Sequence, residues 1–436
     1  MESELPGDLI REILVRLPAR LLLKLKSVCR SWNSLISSPE FALHHLQQST
    51  PTQSPPLLCW NHGIKENEND NSENRLIWAN YFRRNDDVIT TDTVMQSRFF
   101  INYDCHSRYT LFDSLPIDGT KGIIRGSCNG LLCLSNSGFP LHTLTLFNPT
   151  IRSASPTVSI QCPHPRPRPY SSEDPNFPQE NTLFWGFGYD VVHDKYKFVI
   201  DCCNSSPSSS SGAIVCTFGA NPCCKTVDHP TFQYRIYGSD GIFFNGTLNW
   251  AACDDPITTV HVQHPITVIT YKRRWFVLTF DLETESFGRL CMPEYCGGKP
   301  HLQVMNNSTL SVCFRYSGHQ GNFYVWIMKK KKLEDGVEKD YYWTRLFKIP
   351  DHINPTRIAP LYYFSEYIYS AFFQDHVLLT LDEHRHQLLL FHIRIGAAIH
   401  RPELRPRMYL KSPASFYICH ETLLSPSHYW PLTTNN

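Results

Sequence analysis

The sequence predicts an α+β multidomain chain: a small N-terminal unit of three helices, then a large all-β, propeller-like domain. Three observations predict it. Near the N-terminus, apolar residues recur at helical spacing. From about residue 55 onward they fall instead in short runs separated by turn formers. Of 436 residues, 13% are aromatic, 31 are proline and 21 are glycine, a mixture that suits strands and turns. The stretch from 55 to 430 is too long for one sandwich, whereas a propeller absorbs it at roughly 40–50 residues per blade.

The helices come first. Leu9, Ile13, Leu14 and Leu17 share one helical face. Pro6 precedes this segment, Asp8 sits in its first turn where the helix dipole favours a carboxylate, and Pro18 ends it. A second helix is predicted over Leu21–Leu25. A third is predicted over Ser27–Ser37, with Val28, Trp32 and Leu35 at spacings of four and three, closed by Pro39. Three helices this short cannot bury all their leucines among themselves, so part of the apolar surface awaits a partner.

The helical unit is assigned to 1–48, a Pro/Ser/Thr/Gln linker to 49–54, and the β domain to 55–430. The linker predicts a cap detached from the β domain. Strand-like runs follow: Leu57–Trp60, Arg75–Phe82, Tyr109–Leu115, Gly130–Leu134, Leu144–Asn148, Phe184–Tyr189, Tyr196–Asp201, Gly241–Phe244, Thr247–Ala251 and Phe276–Leu282. Later runs are Leu310–Tyr316, Phe323–Met328, Tyr341–Ile349, Val377–Leu381 and Gln387–Ile393. Asn129-Gly130 and Asn245-Gly246 are hairpin dipeptides. "LTLFNPTIRSASP" and "VLTFDLETESFGRLCMP" echo each other: an apolar strand ending in Phe, an Asn or Asp, a turn, and a short strand.

Charge excludes several function classes. Lys+Arg is 41 and Asp+Glu 40, so a net charge of +1 makes no electrostatic case for nucleic acid or an anionic membrane. No apolar run approaches the roughly 18–20 residues that span a bilayer. MESELPGDLI lacks a signal-peptide pattern, so the chain is expected in the cytosol, the nucleus or both. There its 16 cysteines are expected to be mostly reduced.

Sharper motifs have plainer readings. "GSCNGLLCL" places Cys128 where a nucleophile elbow would hold one, but an elbow needs a helix next, and Leu131–Leu134 reads as a strand. Cys202, Cys203, Cys216, Cys223, Cys224 and His229 cluster in the manner of a zinc ligand set, yet adjacent cysteines on a strand face opposite ways. Lys329–Lys332 with the acids that follow reads as a solvated hairpin loop. Trp185, Trp250, Trp275, Trp326 and Trp343 read as core residues. No catalytic residue, metal site or cofactor is expected.

"LPGDLIREILVRLPARLLLKLKSVCRSWNSLISSPEFALHHL" resembles an F-box. The landmarks are Leu5-Pro6, Asp8-Leu9, Glu12-Ile13-Leu14, Arg16-Leu17-Pro18, Val28-Cys29, Ser31-Trp32, Leu35-Ile36 and Ser38-Pro39-Glu40-Phe41. One departure is Leu21, where related sequences often carry a serine that caps the second helix. "GSCNGLLCL", "LFNPTIR", "FGYDVVHDKYKFV", "FFNGTLNWAA", "FDLETESFGRLCMPE" and "YYWTRLFKI" resemble, in order, the F-box-associated domain of plant F-box proteins. Departures are the insertion "DDPITTVHVQHPITVITYKRR" and the Ser/Pro stretch at Asn204–Gly212, both assigned to loops.

The resemblance implies a non-catalytic substrate receptor of an SCF-type (cullin–RING) ubiquitin ligase. Its F-box would dock on a Skp-family adaptor and its β domain would recruit a protein target. Leu5, Pro6, Leu9, Ile13, Leu14, Leu17, Pro18, Leu22, Val28, Cys29 and Trp32 would form that contact and its support. An F-box scaffold without ubiquitin transfer, or a propeller hydrolase relying on Cys128, are the alternatives.

Overall fold

The computed structural model describes residues 6–48, 57–63, 74–80 and 416–429 and, with short gaps, 123–161, 184–201, 212–349 and 370–400. The linker 49–54, the run Tyr109–Leu115, Cys202, Cys203 and Leu5 lie outside the described residues. The chain divides into two compact units: 1–161 with 218–222 and 407–436, and 162–217 with 223–406.

The first unit opens with four helices: α1 (Gly7–Leu14), α2 (Ala19–Leu25), α3 (Arg30–Ser37) and α4 (Pro39–Gln48). α1 ends at Leu14, short of Pro18: Leu17 lies in the turn that follows it, and Pro18 is the N-cap of α2, while Pro39 follows the end of α3 and opens α4. The fourth helix was not foreseen. Proline at its first position has no N–H to lose, Glu40 lies in its first turn, and Ser38 Oγ accepts the Phe41 N–H at 3.2 Å. α4 supplies Phe41, Ala42 and His45 to a core that also holds Leu14, Val15, Ala19, Leu22 and Ile36. Burial lowers the His45 pKa, so the ring is neutral, and its Nε2–H donates to the Leu17 carbonyl at 2.8 Å.

The β part of this unit is a sheet of Ile123–Cys128, Leu131–Gly138, Leu141–Asn148 and Ser153–Ala154, with Val158–Gln161 also on Leu141–Asn148. A three-stranded sheet pairs Leu57–Gly63 with Asn74–Asn80 on one side and Phe416–Cys419 on the other. The first strand after the helices is thus a neighbour of the last described strand.

The second unit repeats an up-and-down theme. Its largest sheet joins the meander of Phe184–Asp190, Lys195–Asp201, Ala213–Thr217 and Cys223–Val227 to one of Asp240–Phe244, Thr247–Cys253, Trp275–Asp281 and Ser286–Cys291. The join is the parallel pairing of Asp240–Phe244 with Phe184–Asp190. Four-stranded meanders follow over 301–349 and 370–400. Trp250, 1% exposed, packs edge-on against Phe184 and donates its Nε1–H to the Trp185 carbonyl at 3.0 Å. Trp185, Trp275, Trp326 and Trp343 are only half-buried.

Three differences from the sequence expectations have simple causes. The insertion before the Phe-Asp-Leu motif folds as a hairpin of its own, Ile257–Gln263 on Ile266–Lys272, because both arms are rich in β-branched residues. Lys329, Lys330 and Lys331 extend a strand, paired with Tyr342, Tyr341 and Asp340, so the loop begins after them. Cys216 and Cys224 are directly opposed on antiparallel strands, Cα atoms 4.1 Å apart, and form a disulfide rather than free thiols. That bond removes both from the imagined zinc set.

Candidate functional site

The turn inside "GSCNGLLCL" joins Ile123–Cys128 to Leu131–Gly138, with Asn129 at φ 51° and Gly130 at φ 75°. Both signs are positive, as a type I′ hairpin requires. Cys128 is buried, and burial pushes its thiol well above the usual thiol range, with Cys419 adding to the rise. A protonated, packed thiol is no nucleophile.

The helical unit leaves several apolar side chains in solvent, as the turn residues Val191 and Val192 and the strand residues Tyr341, Tyr342 and Leu346 do elsewhere. Leu9 is 50% exposed, Ile13 53%, Leu21 41% and Val28 60%. Leu9 and Ile13 lie one helical turn apart on α1, with exposed Pro6 just before it. Trp32 on α3 is half-buried and Cys29 exposed, its Sγ 3.1 Å from Ser31 Oγ. Leu17 and Pro18 are half-buried. Leu14, at 1%, and Leu22, at 0%, are core residues that support the face without reaching it. The exposed neighbour is Leu21, the residue that the sequence marked only as a departure.

The α2 N-terminus has no capping side chain of its own. Its Arg20 instead meets Glu421. The guanidinium Nε pairs with Oε1, and the Arg20 backbone N–H donates to the same carboxylate. Glu421 belongs to a segment fixed from several sides. Asn148 Nδ2 donates to the Thr422 and Leu424 carbonyls at 3.0 and 2.7 Å, and the Thr422 N–H donates to Thr150 Oγ1 at 3.3 Å. Gly130 leaves room for it: a Cβ there would lie 2.5 Å from the His420 carbonyl oxygen. Sequence reading missed Glu421 altogether, since no local pattern ties residue 421 to residue 20.

The described residues hold no group of three or more metal-ligating side chains. His229 Nδ1 lies 3.2 Å from an Asp201 carboxylate oxygen and 3.3 Å from the Tyr234 hydroxyl.

An F-box domain family matches residues 3–44, and the family described as F-box associated beta propeller domain matches residues 114–405. The chain belongs to the F-box-associated β-propeller family. The exposed face of this F-box protein therefore lies on its F-box, and the meanders lie in its associated domain. An F-box/kelch-repeat protein of Arabidopsis thaliana is 27% identical over 81% of this chain and 83% of its own. Two more F-box proteins of that plant are 26% and 24% identical, covering 76% and 78% of this chain and 73% and 72% of theirs. Among solved structures, an apocarotenoid oxygenase of Synechocystis aligns over 66% of this chain and 60% of its own, at TM-score 0.30 and 12% identity. That likeness is too loose to bear on fold or function.

Proposed function

We propose that this F-box protein is the substrate-receptor subunit of an SCF-type (cullin–RING) ubiquitin ligase. The observation that supports this most is that the four-helix unit leaves the apolar side chains Leu9, Ile13, Leu21 and Val28 exposed. Pro6 and Trp32 extend it, and Leu5, Leu17, Pro18 and Cys29 flank it in sequence. A Skp-family adaptor is its partner. Leu14 and Leu22 hold the shape of the face. The receptor itself makes no bonds; it holds a target near a ubiquitin-charged enzyme and raises the effective concentration of a target lysine. That work belongs in the cytosol or nucleus.

The test is adaptor binding by the full chain. Leu9→Asp and Ile13→Asp are expected to weaken binding at least tenfold with unchanged circular dichroism, because both side chains are already solvated and a few central apolar residues carry most interfaces. Leu14→Ala is expected to lose about 2–5 kcal/mol of stability instead, as a buried truncation does. Wild-type affinity in both aspartate variants overturns the reading. Binding without ubiquitin transfer in a reconstituted ligase would favour the scaffold alternative.

A further inference from the structure

A docking unit on a polar linker is free to swing unless something else holds it. Here the chain leaves α4 and enters Leu57–Gly63, whose neighbour is Phe416–Cys419. Two residues beyond that neighbour, Glu421 reaches back to Arg20 on α2. The helical unit is thus attached at two places: through the chain into one strand, and through a side chain beside the adjoining strand. Two attachments remove the hinge freedom that a single linker leaves.

Glu421 is well built for holding geometry. It is 4% exposed, and its segment is clamped by Asn148 and Thr150. Burial raises its carboxyl pKa above the usual range by more than Arg20 pulls it down. A buried charge kept under those conditions adds little net stability, and register or orientation is its best-attested use.

We propose that Arg20 and Glu421 are positioning residues that fix the F-box, and any adaptor docked on it, in one orientation on the strand pair Leu57–Gly63 and Phe416–Cys419. The consequence for an adaptor rests on the receptor reading above; the fixed orientation does not.

The experiment places spin labels, as noncanonical residues, at Ser34 on α3 and Ser159 on the 123–161 sheet, both exposed. Pulsed electron resonance on the full chain without adaptor then reads the distance distribution. The wild type is expected to give one narrow distribution. Arg20→Gln and Glu421→Gln should each broaden it, the double variant should add nothing to either, and Arg20→Lys should restore most of the narrowness. Glu421→Gln, which removes the buried charge, should move the unfolding midpoint little, whereas Arg20→Gln, which strands it, should lower the midpoint. Should Glu421→Gln fail to fold, Arg20→Gln at its half-exposed position carries the test alone.

An unchanged distribution in the single variants overturns the proposal, and so does a fallen midpoint with an unchanged distribution, which would make the pair merely structural. Adaptor affinity, measured in parallel, should match wild type in Arg20→Gln. If the wild type binds no adaptor, the receptor reading falls while the distance result stands.

Discussion

Gly130 and Gly246 share a conformation but not an environment. Both have positive φ, 75° and 78°, and both follow an asparagine that also has positive φ. Around Gly246 a Cβ would meet open space, whereas at Gly130 it would meet the His420 carbonyl and Thr422. Gly246→Ala is therefore expected to cost about 1–2 kcal/mol, the ordinary left-handed penalty. Gly130→Ala should cost clearly more and should also loosen the segment that carries Glu421. Thermal unfolding of both variants checks the difference. The turn itself was legible, because Asn-Gly between apolar runs has few other uses. The crowding was not, since it comes from a segment nearly 300 positions away. The docking face shows the same divide: spacing marks Leu9, Ile13 and Leu14 as neighbours, but only packing reveals that Leu14 is inside.

At the scale of elements, one local device recurs. Asn148, Asp190 and Asp281 each end a strand, and their side-chain Oδ1 accepts backbone N–H groups two and three residues on. Each four-residue loop ends at a non-glycine residue with positive φ: Arg152, Asp194 and Glu285. Two copies were visible as "LFNPTIR" and "FDLETES"; the third, in "FGYDVVHDKYKFV", was hidden by its preceding glycines. Phe184–Asp190 and Trp275–Asp281, which face the core, were legible from their apolar runs, while Ser286–Cys291, little of it buried, was legible only as the short strand that closes the echoed pattern.

Two of these loops are tied by Lys197, 4% exposed, whose Nζ lies 2.8 Å from both Asp190 Oδ2 and Glu285 Oε1. Burial lifts both carboxyl pKa values, but Lys197 more than offsets it, with His193 at Asp190 and Lys225 at Glu285, and both end below the usual range. Their stabilisation is present above the unfolded carboxylate pKa of about 4 and lost as pH falls through the lower folded values. Burial pulls Lys197 down, yet its two carboxylates raise it overall, so its share is present below about pH 10.4 and lost as pH rises through the folded value. Lys197→Met is expected to lose on the order of 3–5 kcal/mol at neutral pH, because it strands two carboxylates. That loss should shrink below about pH 4, where they protonate. Denaturant unfolding of wild type and variant across pH checks both the size and the sign.

The whole molecule adds a connection that no single loop contains. Of the three loop-forming residues, Asn148 alone is an amide, and its Nδ2 has a proton to give. Its two N–H groups go to the Thr422 and Leu424 carbonyls, on either side of the leucine that follows Glu421 by two. A run of contacts therefore leads from the "LFNPTIR" loop, through the 420–425 segment, to Arg20 and the F-box. Asn148→Ala should cost on the order of 2–4 kcal/mol, since two buried carbonyls lose their donor. It should also broaden the distance between labels at Ser34 and Ser159 as Glu421→Gln does. Asp281→Ala removes the same device from another meander, freeing the Glu283 and Thr284 N–H groups. It should loosen its own loop and leave that distance unchanged. If both variants broadened it equally, the effect would be general softening of the β domain, and the path through Glu421 would lose its claim to be specific.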